Sequence, residues 1–252
     1  SMSPLKRIAT MQRNSVDFAY QNEIYSIDIN LFNRHSDYFS IEENIKGDLI
    51  YFVNEFDPQL QHPKETINAF IKFIQTSEVD ITHTNAFSLQ FLSHKFHLGS
   101  LISKTREFIT KEENEEKLLE EIFSYSPDLY AEQEDFISTK IIHIINDDRL
   151  LILSIPQLYR IISKFLQEID ECEYIEKEDE ILDFLIKVIE KKGAKVEILV
   201  SLFNFSKKGR KHFYKKLLNK GETIEMGCIE KNLIQSIIEE EEENKKLKED
   251  YE

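Results

Sequence analysis

The chain has 252 residues, a formal net charge of −15 and a hydrophobic share of 41% that includes 18 Phe and 10 Tyr. Compact domains commonly hold roughly 100–150 residues, so two domains are expected. Only 6 Gly and 5 Pro argue against a disordered or turn-rich all-β chain. The acidic balance disfavours nucleic acid, whose binding draws on Lys and Arg neutralising phosphates.

Two cysteines, Cys172 and Cys228, make neither a disulfide framework nor a thiolate metal site. With no secretory h-region, they fit a reducing intracellular setting, cytoplasmic or nuclear. No apolar run approaches the roughly 20 residues that span a bilayer, so no membrane role is expected.

In chain order, "SVDFAY" and "EIYSID" flank Gln21-Asn22 and read as a hairpin from their aromatic and β-branched content. In "INLFNRHSDYF", Leu31, Phe32, His35 and Phe39 fall at helical spacing, and "LIYFVNEF" suits a strand. After Pro63, Ile67, Phe70, Ile71 and Ile74 predict a helix, and "VDIT" a short strand-like piece. Phe87, Phe91, Leu92, Phe96, Leu101 and Phe108 predict two helices broken near Gly99.

Beyond Thr110 the stripes are helical: Leu118, Leu119, Ile122 and Phe123; Phe136, Ile137, Ile141 and Ile144; Leu158, Ile161, Ile162 and Phe165. Ile181, Phe184, Leu185 and Ile189 form another, with Gly193 where a C-cap is expected. The expected fold is an α+β N-terminal domain, a short sheet with helices, over 15–110. An all-α domain over 111–220 and a helical acidic tail over 221–252 follow, making the chain mostly helical overall. The boundary is expected in "TKEENEEK", 110–117.

The first half resembles a BTB/POZ domain, whose pattern opens with an acidic residue leading into a hairpin and then a helix ending in Ser-x-x-Phe. The matching residues are Asp17, the Tyr25/Ile27 strand, the Leu31/Phe32 helix and Ser36-Asp37-Tyr38-Phe39. The later family pattern looks like "TINAFIKFIQTSEVDIT" and "NAFSLQFLSHKFHLGSLISKTREFI", so the likeness covers roughly residues 15–109. The second half is similar to a BACK-type helical region in "LLILSIPQLYRIISKFL" and "EDEILDFLIKVI". Asp28-Ile29 stands where many BTB domains have a basic residue opposite the opening acid, so Asp17 is expected to be a solvated or capping carboxylate.

The resemblance implies a non-enzymatic interaction module: an adaptor, in some relatives a cullin-binding part of a ubiquitin ligase complex, or a self-associating scaffold such as a homodimer. In cullin-bound relatives the contact falls at positions corresponding to about 57–77 and 85–96. Candidate anchors there are Phe70, Phe73, Phe87, Phe91 and Phe96, because a few desolvated aromatics usually dominate interface energy. Most of the five are expected to be core.

No Gly-rich phosphate loop or nucleophile elbow is present, so no cofactor and no catalysis are expected. His94 and His97 are three apart, as a metal pair on one helical face would be. Without further ligands at fitting spacing, the plainer expectation is one packed and one solvated histidine, and no metal. The stretch "SKKGRKHFYKKLLNK" holds basic residues and no acidic ones. One reading makes Lys207, Lys208, Arg210, Lys211, Lys215 and Lys216 a docking patch for an acidic partner, a membrane surface or RNA. The plainer one is a helix with Phe213, Leu217 and Leu218 inward and lysines in water. In the tail, Ile229, Leu233, Ile234, Ile237 and Ile238 form a stripe before Glu239 to Glu243, too short for a stand-alone coiled coil.

Overall fold

The computed structural model describes residues 15–20, 23–40, 50–52, 60–125, 128–203 and 205–219. The hairpin forms as expected, with Ser15–Tyr20 (β1) antiparallel to Glu23–Asp28 (β2) and Val16 opposite Ile27. Period-two alternation buries Val16, Phe18 and Ile27 on one side. Ile50–Phe52 (β3) pairs with β1 in parallel, giving a small sheet of order β2-β1-β3. A parallel neighbour requires a crossover, here the residues between β2 and β3.

The helix expected through Phe39 is only Ile29–Phe32 (α1), started by the Asp28 carboxylate accepting the Asn30 N–H at 2.7 Å. Its continuation is diverted at Ser36. That hydroxyl donates to the Phe96 carbonyl and accepts the Tyr38 N–H at 3.0 Å, so the chain turns into a 3-10 turn at Tyr38–Ser40. The turn brings Phe39 edge-on to Phe32, ring centres 4.7 Å apart.

Pro63–Thr76 (α2) follows, with Pro in its first turn and Ile67, Phe70, Phe73 and Ile74 buried. Ala86–Lys95 (α3) and Gly99–Ile109 (α4) are the two helices expected around Gly99. Phe18, Phe32, Phe39, Phe70 and Phe96 form the aromatic centre of the core, with Phe18–Phe70, Phe18–Phe96 and Phe32–Phe96 at 5.5, 5.6 and 5.8 Å. "VDIT" has no regular secondary structure and belongs to no described strand. Side chains satisfy this stretch instead: Asn85 Nδ2 donates to the Asp80 carbonyl at 3.1 Å and Asn85 Oδ1 accepts the Thr82 N–H at 2.9 Å. Glu65 Oε1 accepts from Thr82 Oγ1 at 2.6 Å.

The chain divides into two compact units, Ser1–Glu132 and Gln133–Glu252. Glu115–Ser124 (α5) thus belongs with the first unit, and the charged stretch 110–117 lies inside that unit. Ala131–Ile144 (α6) carries the division in its first turn.

In the second unit, Ile155–Glu168 (α7) and Glu171–Lys192 (α8) bury the expected stripes, with Leu158, Ile161, Ile181 and Leu185 at 1% exposure or less. Glu197–Val200 (α9) and Lys207–Asn219 (α10) follow among the described residues. Gly193 ends α8 at φ 72°, a backbone region that glycine occupies without steric cost. The tail stripe, Cys228 and the part of "LIYFVNEF" beyond Phe52 lie outside the described residues.

Helix α7 starts with a capping box: Gln157 Oε1 accepts the Ser154 N–H at 2.8 Å, and Ser154 Oγ accepts the Gln157 N–H at 3.4 Å. Ser154→Ala is therefore expected to cost about 1 kcal/mol, measured as a lower urea midpoint at unchanged slope.

The Asp147 carboxyl is held below its ordinary range, chiefly by the hydrogen bond from Arg149, whose Nε lies 2.8 Å from Oδ2. A depressed carboxyl stabilises the fold above its unfolded value of 3.8, and that contribution is lost as pH falls through the lower folded value. Asp147→Asn should thus destabilise at pH 7, with the difference shrinking only below about pH 4 and vanishing once pH has passed below the lowered folded value, as acid titrations of the two would show.

Candidate interaction surfaces

Helices α2 and α3 position the five candidate phenylalanines. Phe70 and Phe73 are 1% exposed and Phe87 and Phe96 are 2% exposed, so these four are core residues and not surface anchors. Phe91 alone is half-buried, stacked on Tyr130 with ring centres 5.1 Å apart. Helix α3 shows solvent little beyond His94, Lys95 and part of Phe91. The outer face of α2 is polar: Lys64, Glu65, Asn68 and Gln75 are exposed beside half-buried Ile71.

Sequence reasoning missed an exposed apolar residue, Ile24, which is 68% exposed on β2. The strand's own alternation held the signal, since Ile24 shares its face with Ser26 and Asp28 and not with buried Ile27. Asp17 accepts the hydroxyl of Ser26, its partner in register, and so links the two strands of the hairpin side chain to side chain.

Two polar groups brace the start of α2. The Gln61 N–H donates to Tyr130 Oη at 2.7 Å, and the Gln61 carbonyl accepts from Ser88 Oγ at 2.9 Å and Thr66 Oγ1 at 3.1 Å. His62, at φ 46°, sets Nε2 2.6 Å from Glu121 Oε1 and 3.1 Å from Tyr125 Oη. Burial, then the Glu121 charge, pushes the Tyr125 hydroxyl up, so it stays protonated. These hydrogen bonds tie α2 to α3, α5 and the Tyr130 segment, which is a structural task.

His94 and His97 are both exposed and do not share a helical face. His97 lies past the end of α3 at φ 55°, with Nδ1 3.5 Å from Asp37 Oδ1. Among the described residues, no three His, Cys, Asp or Glu side chains are grouped to hold a metal ion.

The basic stretch forms helix α10. Gly209 and Phe213 are buried, Arg210 Nε donates to the Phe205 carbonyl at 2.9 Å, and Lys216 pairs with Asp183 of α8. Lys208, Lys211 and Lys215 are exposed and, at i, i+3 and i+7, make one stripe. The six candidates thus separate: three face solvent, Arg210 and Lys216 turn to the protein, and the side chain of Lys207 lies outside the described residues.

The start of α10 is held by Glu178 of α8, a buried carboxylate at 7% exposure. It accepts the Ser206 N–H and the Ser206 hydroxyl, each at 2.6 Å. The Tyr174 hydroxyl, one turn before Glu178, is buried without a hydrogen-bond partner among the described residues. Desolvation first, then the charge of Glu178, pushes it well above the ordinary tyrosine value. Nothing in the sequence marked Glu178, because its partner lies 28 residues away.

The sequence matches no protein-family model and no curated protein. Among the described residues, no helix is long and apolar enough to cross a membrane.

Proposed function

We propose that the chain is a non-enzymatic protein-interaction module, a BTB/POZ-like domain followed by a BACK-like helical domain, acting as an adaptor or scaffold. The observation that carries this reading is the order of elements in the first unit. An antiparallel hairpin with a parallel third strand is followed by α2, α3 and α4, and the Ser36-x-x-Phe39 turn is fastened to Phe96 at the end of α3. That the described elements of the second unit are all helical supports the BACK-like half.

With the phenylalanines in the core, the partner-facing residues of an adaptor are those on the outer face of α2, Lys64, Asn68 and Gln75, together with the visible edge of Phe91. Calorimetric titration of the full chain with the N-terminal helical domain of a cullin tests this. The expected result is a saturable complex weakened more than tenfold by Asn68→Arg with Gln75→Arg, while the variant keeps its thermal midpoint. Mass that rises with concentration, without cullin binding, would favour a self-associating scaffold. A monomer that ignores cullin would end both readings.

A second reading rests on the exposed stripe of Lys208, Lys211 and Lys215: a contact for an acidic partner or RNA. Such binding should fall steeply with salt and vanish when the three are reversed to Glu. Salt-insensitive binding would sink it.

A further inference from the structure

Ser206 is the residue before α10 and is exposed. It caps that helix: Ser206 Oγ accepts the Gly209 N–H at 3.0 Å and the Ser206 carbonyl accepts the Arg210 N–H at 2.9 Å. The same hydroxyl donates to Glu178, so one buried carboxylate fastens the cap of α10 to α8. In sequence, Ser206 is followed by Lys207, Lys208, Arg210 and Lys211, and no acidic residue comes before Glu222. An exposed serine directly before a helix, with dense positive charge C-terminal to it, fits an acidic substrate cleft.

We propose that Ser206 is a phosphorylation site for a protein kinase that selects basic residues C-terminal to its acceptor, and that the phosphate displaces Glu178 and frees α10 from α8. In the transfer, Ser206 Oγ attacks the γ-phosphorus of ATP and the bond from that phosphorus to the β,γ-bridging oxygen breaks. ADP leaves, and the hydroxyl proton passes to the kinase's base. Ser206 then has no hydroxyl to give Glu178 and carries about −1.5 to −2 charge at neutral pH. Two anions now compete for one helix N-terminus. The phosphate is tethered there and is itself well held by the first-turn N–H groups. Glu178 is the anion that must leave, and with it goes the link between the helices. Helix α10 survives as a helix but loses its docking at that end, leaving the Lys216–Asp183 pair at the other.

Two preparations of the full chain test this. In the first, phosphoserine is encoded at position 206, and amide hydrogen exchange is followed over 174–216, with the first unit as internal reference. Protection over 207–213 is expected to fall at least tenfold, and to return to within about threefold of wild type when Glu178→Gln accompanies the phosphoserine, because the amide can donate to the phosphate. Ser206→Ala, which loses the cap but adds no charge, is expected to show a smaller fall. In the second, the folded wild-type chain is treated with ATP and a serine/threonine kinase domain that selects basic residues C-terminal to its acceptor, and the modified residues are read by mass spectrometry. Ser206 is expected to carry the main phosphate. Unchanged exchange in the phosphoserine chain, failure of Glu178→Gln to restore it, or phosphate placed elsewhere with Ser206 untouched would each overturn the proposal.

Discussion

Phe32→Ala should lower the stability of the first unit by about 4 kcal/mol, within the roughly 3–5 kcal/mol typical of deleting a buried aromatic ring. Phe32 is fully buried, and its ring lies 4.7 Å from Phe39, 5.8 Å from Phe96 and 6.3 Å from Phe70, centre to centre. Three different segments meet on this ring, so no single neighbour can move in to fill the gap, and the cavity term adds to the lost transfer energy. Domains of this size are commonly stable by about 5–15 kcal/mol, so the loss removes a large share. Phe91→Ala is the control: its ring is half-solvated and stacks on Tyr130, and a cost of about 1 kcal/mol is expected. Chemical denaturation followed through first-unit tyrosines reads both. Equal losses from the two variants would contradict the packing described.

Gly209→Ala is the second large effect, and two opposing terms decide its sign. In a helix interior Ala is favoured over Gly by about 1 kcal/mol. A Cβ at Gly209, however, would collide with the carboxyl carbon and Oε2 of Glu178. The carboxylate would have to swing out and give up both bonds to Ser206, each a charge-assisted hydrogen bond of about 1.5–3 kcal/mol. The loss exceeds the propensity gain, so net destabilisation of about 2 kcal/mol or more is expected. Urea melts of Gly209→Ala and of Gly209→Ala with Glu178→Ala measure it. The double variant has no carboxylate to expel and should be less sensitive to the added methyl, a coupling of the kind that neighbouring sites show.

Both effects bear on what the sequence disclosed. The stripes of α2, α7 and α8 were legible because Ile67, Phe70 and Ile74, or Leu158, Ile161 and Phe165, repeat with the helical period and are buried together. The hairpin was legible for the same reason at period two. Periodicity fails where a side chain substitutes for the backbone. Ser36 turns the chain away after α1 by reaching a carbonyl 60 residues away, and Asn85 with Glu65 fastens "VDIT" outside any described strand. The surface was less legible: residue type offered five candidate anchors, most of them expected to be core, and only burial tells that four are core and Phe91 is not. The basic stretch could be read as a helix, but the stripe of three exposed lysines and the grip of Glu178 on Ser206 depend on which helix lies beneath it.

Helix α3 is enclosed on nearly every side, with Ser88, Gln90 and Ser93 buried beside its apolar residues. Its amide protons can reach solvent only when the whole unit opens, so they should be the slowest to exchange there and report global rather than local unfolding. The same enclosure sets a kinetic limit on recognition: a ligand seeking the buried faces of this helix would associate no faster than the unit unfolds, whereas one that reads the outer face of α2 and the visible edge of Phe91 could bind at the rate of encounter.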